Sequence, residues 1–355
     1  RGLALSVDDV SKFLGVVALN RSIEGSSFSP LRRALISKEA GICLWVLERR
    51  RLDCMEPVEE APSRVLEYLS ALERWRSRNR VEGAERERMD QALALAREQV
   101  AAVGRARAAE TFFRAEREYW ISRNRAGQEL RALLEQLGFG LAAPDHFAFR
   151  SSRSLFYDLL QFFEILGFEK REKFYAGEEA GWGAQVVESR DIGLALFLDL
   201  DLSPEELNLD FQRDRLHERE SLGTVGLWTA LHGDSLTASG THHMATAASF
   251  DGLQRVLKKR RVKTMKPFSD LPYLQQAFTR GQRWKVDGAR IESLLAKGSI
   301  TQEQGEDFLE KGAIGSHLEN IQRREGFKGF NKEQVSVIMK ATDPRHYDFR
   351  DDPSK

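Results

Sequence analysis

From residue 140 onward the sequence presents the same succession of elements twice, which narrows the folds that the chain can adopt. In each half, a short strand that carries a histidine, His146 or His243, precedes an amphipathic stretch of helical period and further strand-like runs. The first half has its helix at 154–166 and strands at 170–175, 183–187 and 192–200; the second has its helix at 250–259 and strands at 307–310 and 317–322. We therefore predict an α+β fold in which paired β-α-β-β-β units, 144–236 and 237–345, form a half-open barrel.

Residues 1–138 have a different pattern, and we predict a helical domain there. Helices are expected at 7–20, 37–55 and 62–78, followed by a charged, Ala-rich stretch at 85–137. One unbroken helix of that last length would span about 80 Å, so we expect a break at Gly104 or at 124–127. We expect the helices to pack on the second domain, or on a protein partner or a second copy of the chain. Residues 346–355 form a polar tail.

Charge and cysteine content argue against several classes of partner. Lys and Arg together number 54, as do Asp and Glu, so no overall charge favours a nucleic acid. The longest apolar run is far shorter than the roughly 20 residues of a membrane-spanning helix, so we expect no membrane span. Cys43 and Cys54 form neither a disulfide framework nor a metal motif, which fits a reducing compartment. Because the chain begins with Arg1, we expect a processed product, in the cytoplasm or inside an organelle after removal of a targeting segment.

His146, His243 and Glu319 are the candidates for a metal site. Glu319 occurs within the alternating strand "SHLENI", where burial of its carboxylate is costly unless the carboxylate meets a cation or another partner. Two imidazoles and one carboxylate are the ligands of facial-triad Fe(II) sites, which leave coordination positions open. Each residue alone has a simpler interpretation: a buried histidine is often only hydrogen-bonded, and Glu319 could pair with Arg323 or Arg324.

Three segments resemble the C-terminal catalytic half of 4-hydroxyphenylpyruvate dioxygenase, and together they span roughly residues 140–345. "SHLENIQRREGFKGFNKEQVSVIMKATD" (316–343) is similar to that family's last strand, Gly-Phe loop and final helix. "ASGTHHMATAASFDGLQRVLKKRRVKTM" (238–265) resembles its His-bearing segment, and "PDHFAFRSSRSLFYDLLQFFEILGFEKREKF" (144–174) resembles its Asp-His strand and helix. The resemblance implies the vicinal-oxygen-chelate fold for this part of the chain.

The same resemblance implies roles for particular residues. The family's iron ligands fall on His146, His243 and Glu319, in the expected order. Fe(II) is then the implied cofactor, and a 2-oxo acid and O₂ are the implied substrates of an oxidative decarboxylation with hydroxylation. Phe330 of the Gly-Phe loop would stack on an aromatic substrate. Glu310 matches a glutamine that contacts substrate in the family's Leu-Leu-Gln-x-Phe strand.

Several positions depart from the family pattern. Residues 1–137 do not show a second pair of β units, and carboxylates stand at Glu310 and Asp199, where the family has amides. Carboxylates beside the site would repel an anionic 2-oxo acid, so we expect a substrate other than 4-hydroxyphenylpyruvate. His242 stands in the position of a family glutamine, and side-chain alternation predicts that only one of His242 and His243 faces the interior.

Two other functions agree with the same residues. One is a metal-dependent lyase or isomerase that uses Zn(II), Ni(II) or Mn(II) and a fourth protein ligand, Asp199 or Asp201. The other is a non-catalytic scaffold that the helical domain docks into a larger assembly. A scaffold has no physical need for two inward histidines and an inward glutamate.

Overall fold

The structure is a computed structural model that describes residues 2–141, 144–177, 181–211, 213–325, 329–331, 334 and 342–345. The polar tail predicted at 346–355 and most of the helix expected after the Gly-Phe loop lie outside the described residues. Within them, no helix combines the length and the apolar character needed to cross a bilayer.

The chain begins with a small three-stranded sheet that carries one helix. The elements are β1 (Gly2–Ser6), α1 (Val10–Val16), β2 (Leu31–Glu39) and β3 (Ile42–Arg49). β3 lies in the middle, parallel to β1 and antiparallel to β2. The helix predicted over 37–55 is therefore wrong. Ala40 and Gly41 both adopt positive φ, 47° and 76°, which is what a two-residue hairpin turn requires.

Four helices follow and form a layer over the rest of the molecule. They are α2 (Pro62–Arg76), α3 (Glu85–Val103), α4 (Arg105–Ser122) and α5 (Arg125–Gln136). The Ala-rich stretch is broken at both expected places. Gly104 has a φ of 81°, which ends α3, and the side chain of Asn124 accepts a hydrogen bond from the backbone N–H of Gly127 and caps α5.

The first β-α-β-β-β unit matches the sequence prediction closely. It comprises β4 (Pro144–Arg150), α6 (Arg153–Ile165), β5 (Glu169–Tyr175), β6 (Trp182–Ser189) and β7 (Leu194–Asp201). Its strands are ordered β5-β6-β7-β4, with β4 and β7 parallel and the other pairs antiparallel. Helix α7 (Thr224–His232) connects this unit to the next one.

The second unit repeats this arrangement in mirrored strand order. It comprises β8 (His243–Ala247), α8 (Phe250–Lys259), β9 (Ser269–Leu271), β10 (Leu274–Phe278), β11 (Gln282–Trp284), α9 (Gly288–Ala296), α10 (Gln302–Lys311) and β12 (Ala313–Arg323). Its strands are ordered β8-β12-β10-β9, and β11 also pairs with β12. The antiparallel pairing of β8 with β4 joins this unit to the first one. The α+β class with paired units is confirmed. The strand predicted at 307–310 is wrong, because those residues belong to α10.

The two faces of the large sheet have different environments. On β7, Leu196, Leu198 and Leu200 belong to the core that the sheet shares with the helical layer. Phe197 and Asp199 alternate with these leucines and line a cavity on the other, concave face. The polar candidates therefore lie inside the half-open barrel.

Candidate metal centre

Three side chains from three adjacent strands meet inside the barrel: His146 of β4, His243 of β8 and Glu319 of β12. The two Nε2 atoms are 3.2 Å apart, and Glu319 Oε2 lies 3.1 Å from His146 Nε2 and 3.4 Å from His243 Nε2. Ligand atoms about 2.1 Å from a common ion, at right angles, would be about 3 Å apart. The three atoms therefore fit one face of an octahedron around a single metal ion.

The strand register explains why these residues converge. Ala245 on β8 pairs with His146 on one side and with Glu319 on the other. His243 lies two residues before Ala245 and therefore points to the same face. The methyl group of Ala245, which is fully buried, leaves space between the larger side chains.

Neighbouring side chains fix the orientation of two of these three side chains. Asp145 Oδ2 lies 2.8 Å from His146 Nδ1, so Nδ1–H donates to the carboxylate and Nε2 is directed to the site. Arg323 pairs with the other oxygen of Asp145. Gln276 Nε2 donates to Glu319 Oε1 at 2.8 Å, so only Oε2 faces the two histidines. Glu319 is thus set to bind through one oxygen, and it does not pair with Arg323.

Burial and neighbouring charges shift the pKa values of these side chains in opposite directions. Burial disfavours the charged form of His146, but the carboxylates of Glu319 and Asp145 outweigh this and raise the pKa of the imidazole to about 9. Burial would also raise the pKa of Glu319, but His146 and His243 hold it well below its usual range. Burial lowers the pKa of His243. Without a cation, a proton on His146 therefore balances Glu319, and a bound metal ion would replace that proton.

The cavity next to these ligands has an aromatic wall. The rings that line it are Phe174, Trp182, Phe197, Phe268, Phe278 and Phe330. Phe330 lies edge-on to Phe174 and to Phe197, with ring centroids 5.3 Å apart in each case. The structure thus places Phe330 at the cavity, where the sequence predicts it. A flat or apolar group is the natural occupant of such a wall.

Two further histidines, His242 and His317, line the same cavity. The prediction that only one of His242 and His243 faces inward is wrong, because β8 starts at His243 and strand alternation does not extend to His242. His242 Nδ1 lies 3.1 Å from the carbonyl oxygen of Gly315. His242 Nε2 and His317 Nδ1 have no hydrogen-bond partner among the described residues. Burial keeps the pKa of both histidines well below the usual value, so both are neutral.

The structure does not bring Glu310 to the cavity, where the resemblance implied a substrate-contacting side chain. Glu310 lies in α10 with an exposed side chain and is not among the residues that line the cavity. The equivalent strand is β10, "LQQAF", which places Gln276 and Phe278 at the cavity. The Leu-x-Gln-x-Phe spacing on a strand that pairs with β12 was the signal that could have identified Gln276.

The two aspartates considered as a fourth ligand lie outside the triad. Asp199 lines the cavity, but it does not belong to either group of described residues whose ligand atoms lie within 4.8 Å of one another. Those groups are the triad and the set His242, His243 and His317. Asp201 accepts hydrogen bonds from the backbone N–H groups of Gly223 and Val225, at the start of α7.

Comparisons with known proteins find only distant structural similarities. No protein-family model and no curated protein matches the chain. A glyoxalase-superfamily protein from Ralstonia eutropha is 12% identical, with a TM-score of 0.46, over 77% of this chain and 99% of its own. A protein from Shewanella frigidimarina, proposed to be a hydrolase, is 15% identical, with a TM-score of 0.43, over 61% of this chain and 95% of its own. A 4-hydroxymandelate synthase variant from Streptomyces coelicolor is 13% identical, with a TM-score of 0.37, over 96% of both chains. Likenesses this distant say nothing of what the chain binds or catalyses.

Proposed function

We propose that the protein is a non-haem Fe(II) dioxygenase that acts on a 2-oxo acid by oxidative decarboxylation and hydroxylation. The observation that carries the proposal is the convergence of His146 Nε2, His243 Nε2 and Glu319 Oε2 within 3.4 Å of one another. These three side chains would hold Fe(II), and donor sets of two imidazoles and one carboxylate leave coordination positions open to substrate and O₂. A buried, hydrogen-bonded cluster of this kind has no structural use that an apolar core would not serve better.

Fe(II) at this site would activate O₂, and the electrons that reduce O₂ would come from the 2-oxo acid as it is decarboxylated and hydroxylated. The protein's residues hold the ligands and bind the substrate. With Fe(II) bound, two neutral imidazoles and one carboxylate would give the site a charge of about +1, which would favour an anionic 2-oxo acid. The aromatic wall, including Phe330, excludes water and packs against the carbon body of the acid.

In the structure, neither Glu310 nor Asp199 is expected to repel an anionic substrate strongly. Glu310 is exposed on α10, where solvent screens its charge. Burial raises the pKa of Asp199 to about 7, with Arg150 and His146 opposing the shift, so its carboxyl is largely protonated in slightly acidic solution. Gln276, His242 and His317 present hydrogen-bonding groups to the cavity and are the proposed polar contacts for the substrate.

The decisive test combines metal analysis with oxygen consumption. The purified chain, reconstituted anaerobically with Fe(II), is expected to hold one iron and to consume O₂ with a member of a panel of aryl and alkyl 2-oxo acids. A different tightly bound metal without O₂ uptake would replace this proposal with the lyase or isomerase. Failure to bind any metal would favour the scaffold.

Variants at the ligands make the test specific. His146→Ala, His243→Ala and Glu319→Ala are each expected to lose stoichiometric iron, because two ligands do not retain it. Glu310→Gln is the matched control, since it alters an exposed carboxylate outside the cavity and should keep both iron and activity. Full iron in all three ligand variants would refute the assignment.

A further inference from the structure

His242, His243 and His317 form a second set of metal-binding side chains beside the triad, and we call it the three-histidine group. Each residue offers one ring nitrogen, and the three nitrogens lie within 4.8 Å of one another. His243 belongs to both sets, whereas His242 and His317 are not part of the triad. All three rings line the cavity next to the triad, so an ion that enters this cavity reaches either set.

The spacing of the three rings is close to that of imidazoles around one ion. Imidazole nitrogens about 2.1 Å from a common ion, at ligand angles of roughly 90–120°, put the ring centroids about 4.5–5.5 Å apart. The centroids of His242 and His317 are 4.6 Å apart, and those of His243 and His317 are 5.4 Å apart. The third distance, between His242 and His243, is slightly longer at 5.8 Å. Little movement would therefore be needed to bind an ion.

Backbone contacts hold His242 and His317 in this arrangement. His317 on β12 pairs with His243 on β8, and its backbone N–H donates to the carbonyl oxygen of His242. His242 Nδ1 lies 3.1 Å from the carbonyl oxygen of Gly315, so Nδ1–H donates to that oxygen and Nε2 carries the lone pair. A histidine that is held through one ring nitrogen presents the other to a metal ion.

Two nitrogens of the three-histidine group have no hydrogen-bond partner among the described residues. They are His242 Nε2 and His317 Nδ1, and both are buried. Buried polar atoms in native proteins are almost always satisfied. Both atoms are too enclosed to contact a water-sized group, but a metal ion is smaller and bonds directly to a nitrogen lone pair at about 2.1 Å.

Ring packing alone does not explain imidazoles at these positions. Phe278 stacks on His317 with centroids 4.3 Å apart, and Trp228 lies edge-on to His242 at 5.4 Å. Phenylalanine would make the same contacts without burying a polar nitrogen that lacks a partner. The imidazole nitrogens therefore indicate a ligand.

The donor set indicates which ion this ligand is. Three imidazoles without a carboxylate are a common zinc donor set, which leaves a fourth tetrahedral position open, and nitrogen sites bind Zn(II) more tightly than Fe(II). We infer that His242, His243 and His317 form a second metal position, which takes Zn(II). Because His243 is shared, zinc at this position and an ion at the triad compete for its ring. The inference does not depend on the proposed oxidation.

Zinc titration of the full-length double variant His146→Ala/Glu319→Ala tests this position. The double variant lacks the two triad residues outside the three-histidine group and keeps the group itself. Calorimetry is expected to show one Zn(II) bound with a micromolar or lower dissociation constant, and Co(II) in its place should give the strong visible absorption of a four-coordinate ion. Addition of either His317→Gln or His242→Gln should weaken zinc binding at least about tenfold, because each removes one of three ligands.

His232→Gln in the same background is the matched control. His232 Nε2 lies 3.0 Å from the carbonyl oxygen of Ile314, and the residue belongs to neither set. This variant should bind zinc as tightly as the double variant does. The inference fails if the double variant does not bind Zn(II). It also fails if zinc affinity is unchanged by both His317→Gln and His242→Gln, which would mean adventitious binding elsewhere on the protein.

Iron binding separates this inference from the proposed function. His317→Gln alone should keep stoichiometric Fe(II), because His317 is not a member of the triad. Iron in the wild-type protein without zinc in the double variant would overturn the inference and leave the proposed function standing. Zinc in the double variant without iron in the wild type would do the reverse. Thermal unfolding of each variant checks the fold, and His242→Gln decides the result if His317→Gln unfolds.

Discussion

At the residue scale, Ala245 decides whether the three proposed ligands can approach one another. It lies between His146 and Glu319 in the strand register and is fully buried. Ala245→Val adds two methyl groups at this position, which should push the ligands apart and lower metal affinity at least about tenfold, since first-shell geometry is exacting. Equilibrium dialysis against Fe(II) or Mn(II) would measure the loss.

A second alanine on the same strand supplies the control for this prediction. Ala247 is exposed and pairs with Ile321, beyond the ligands. Ala247→Val should therefore leave the metal affinity unchanged. Equal affinity in both variants would mean that the space around Ala245 does not limit the site.

The raised pKa of His146 makes metal binding depend on pH. With a pKa of about 9 in the metal-free protein, His146 carries a proton at neutral pH that the metal ion must displace. We expect affinity to rise about tenfold per pH unit and to level off once His146 is deprotonated. Mn(II) titrations at several pH values would show this slope, and a flat profile would contradict it.

The raised pKa of His146 also makes the stability of the metal-free protein depend on pH. This stability falls with rising pH, whereas the metal affinity rises. Protonated His146 contributes stability in full below its unfolded pKa of 6.5, and the contribution is lost as the pH rises through about 9. Metal-free protein should therefore become less stable over this window while metal affinity increases.

Asp145 orients His146, and removal of its carboxylate should lower the affinity of the proposed site for metal. Asp145→Asn keeps the shape but removes the carboxylate that accepts from His146 Nδ1, so we expect metal affinity to fall about 10–100-fold. The pH dependence should also shift to lower pH, because one of the charges that raise the pKa of His146 is lost. Asp307→Asn, a change at a half-buried position on α10, is the control. A shift in pH profile distinguishes this positioning role from simple loss of stability.

The convergence of His146, His243 and Glu319 could be predicted from sequence because each residue lies in a local motif and their chain order matched a known pattern. Gln276 and His242 could not be predicted in the same way. Gln276 reaches Glu319 through strand pairing between β10 and β12, over 43 residues. His242 faces inward only because β8 begins one residue later, and strand ends are set by tertiary packing rather than by local preference.

At the scale of elements, replacement of glycine by alanine should change the unfolding free energy in opposite directions at two positions that differ in backbone conformation. Gly104 ends α3 with φ 81° and ψ 160°, a conformation essentially restricted to glycine, and an added Cβ would meet no atom within 4 Å, so Gly104→Ala costs only backbone strain, about 1–3 kcal/mol of unfolding free energy. Gly15 lies inside α1, also with open space, and Gly15→Ala should stabilise by about 0.5–1 kcal/mol. Urea unfolding of both variants checks the signs. Equal effects would mean that the positive φ of Gly104 does not require glycine.

Elements with a clear stop signal or strict alternation were the predictable ones. Helix α8 has the predicted limits, and β5, β6 and β7 lie where alternation placed them. The β2-β3 hairpin was missed, because its charged ends and the absence of an Asn-Gly or Asp-Gly turn made it resemble a helix. Pairing with β1, which is remote in sequence from β3, stabilises it as sheet.

At the scale of the whole molecule, the helical layer and the large sheet share one core. Phe112 and Phe113 of α4 lie within ring-contact distance of Phe149 and Phe147 of β4, with centroids 6.3 Å and 5.3 Å apart. Trp75 of α2 also contacts Phe162 of α6, at 5.9 Å. The sequence left open whether the helices cover the sheet or another subunit, because period alone does not say which apolar faces meet.

This shared core predicts that residues 139–355 do not fold alone. Without the helices, Phe147, Phe149 and Leu196 would be exposed on the outer face of the strands that carry His146 and its neighbours. An exposed apolar face of this kind leads to aggregation or a loosely packed state, so the fragment should lack a cooperative melt and should not bind Mn(II) stoichiometrically. Near-UV circular dichroism during heating, compared with the full chain, measures the first property, and dialysis measures the second. A fragment that melts cooperatively with its metal bound would show that the barrel is independent. The helices would then be an added layer rather than part of the structure that holds the ligands in place.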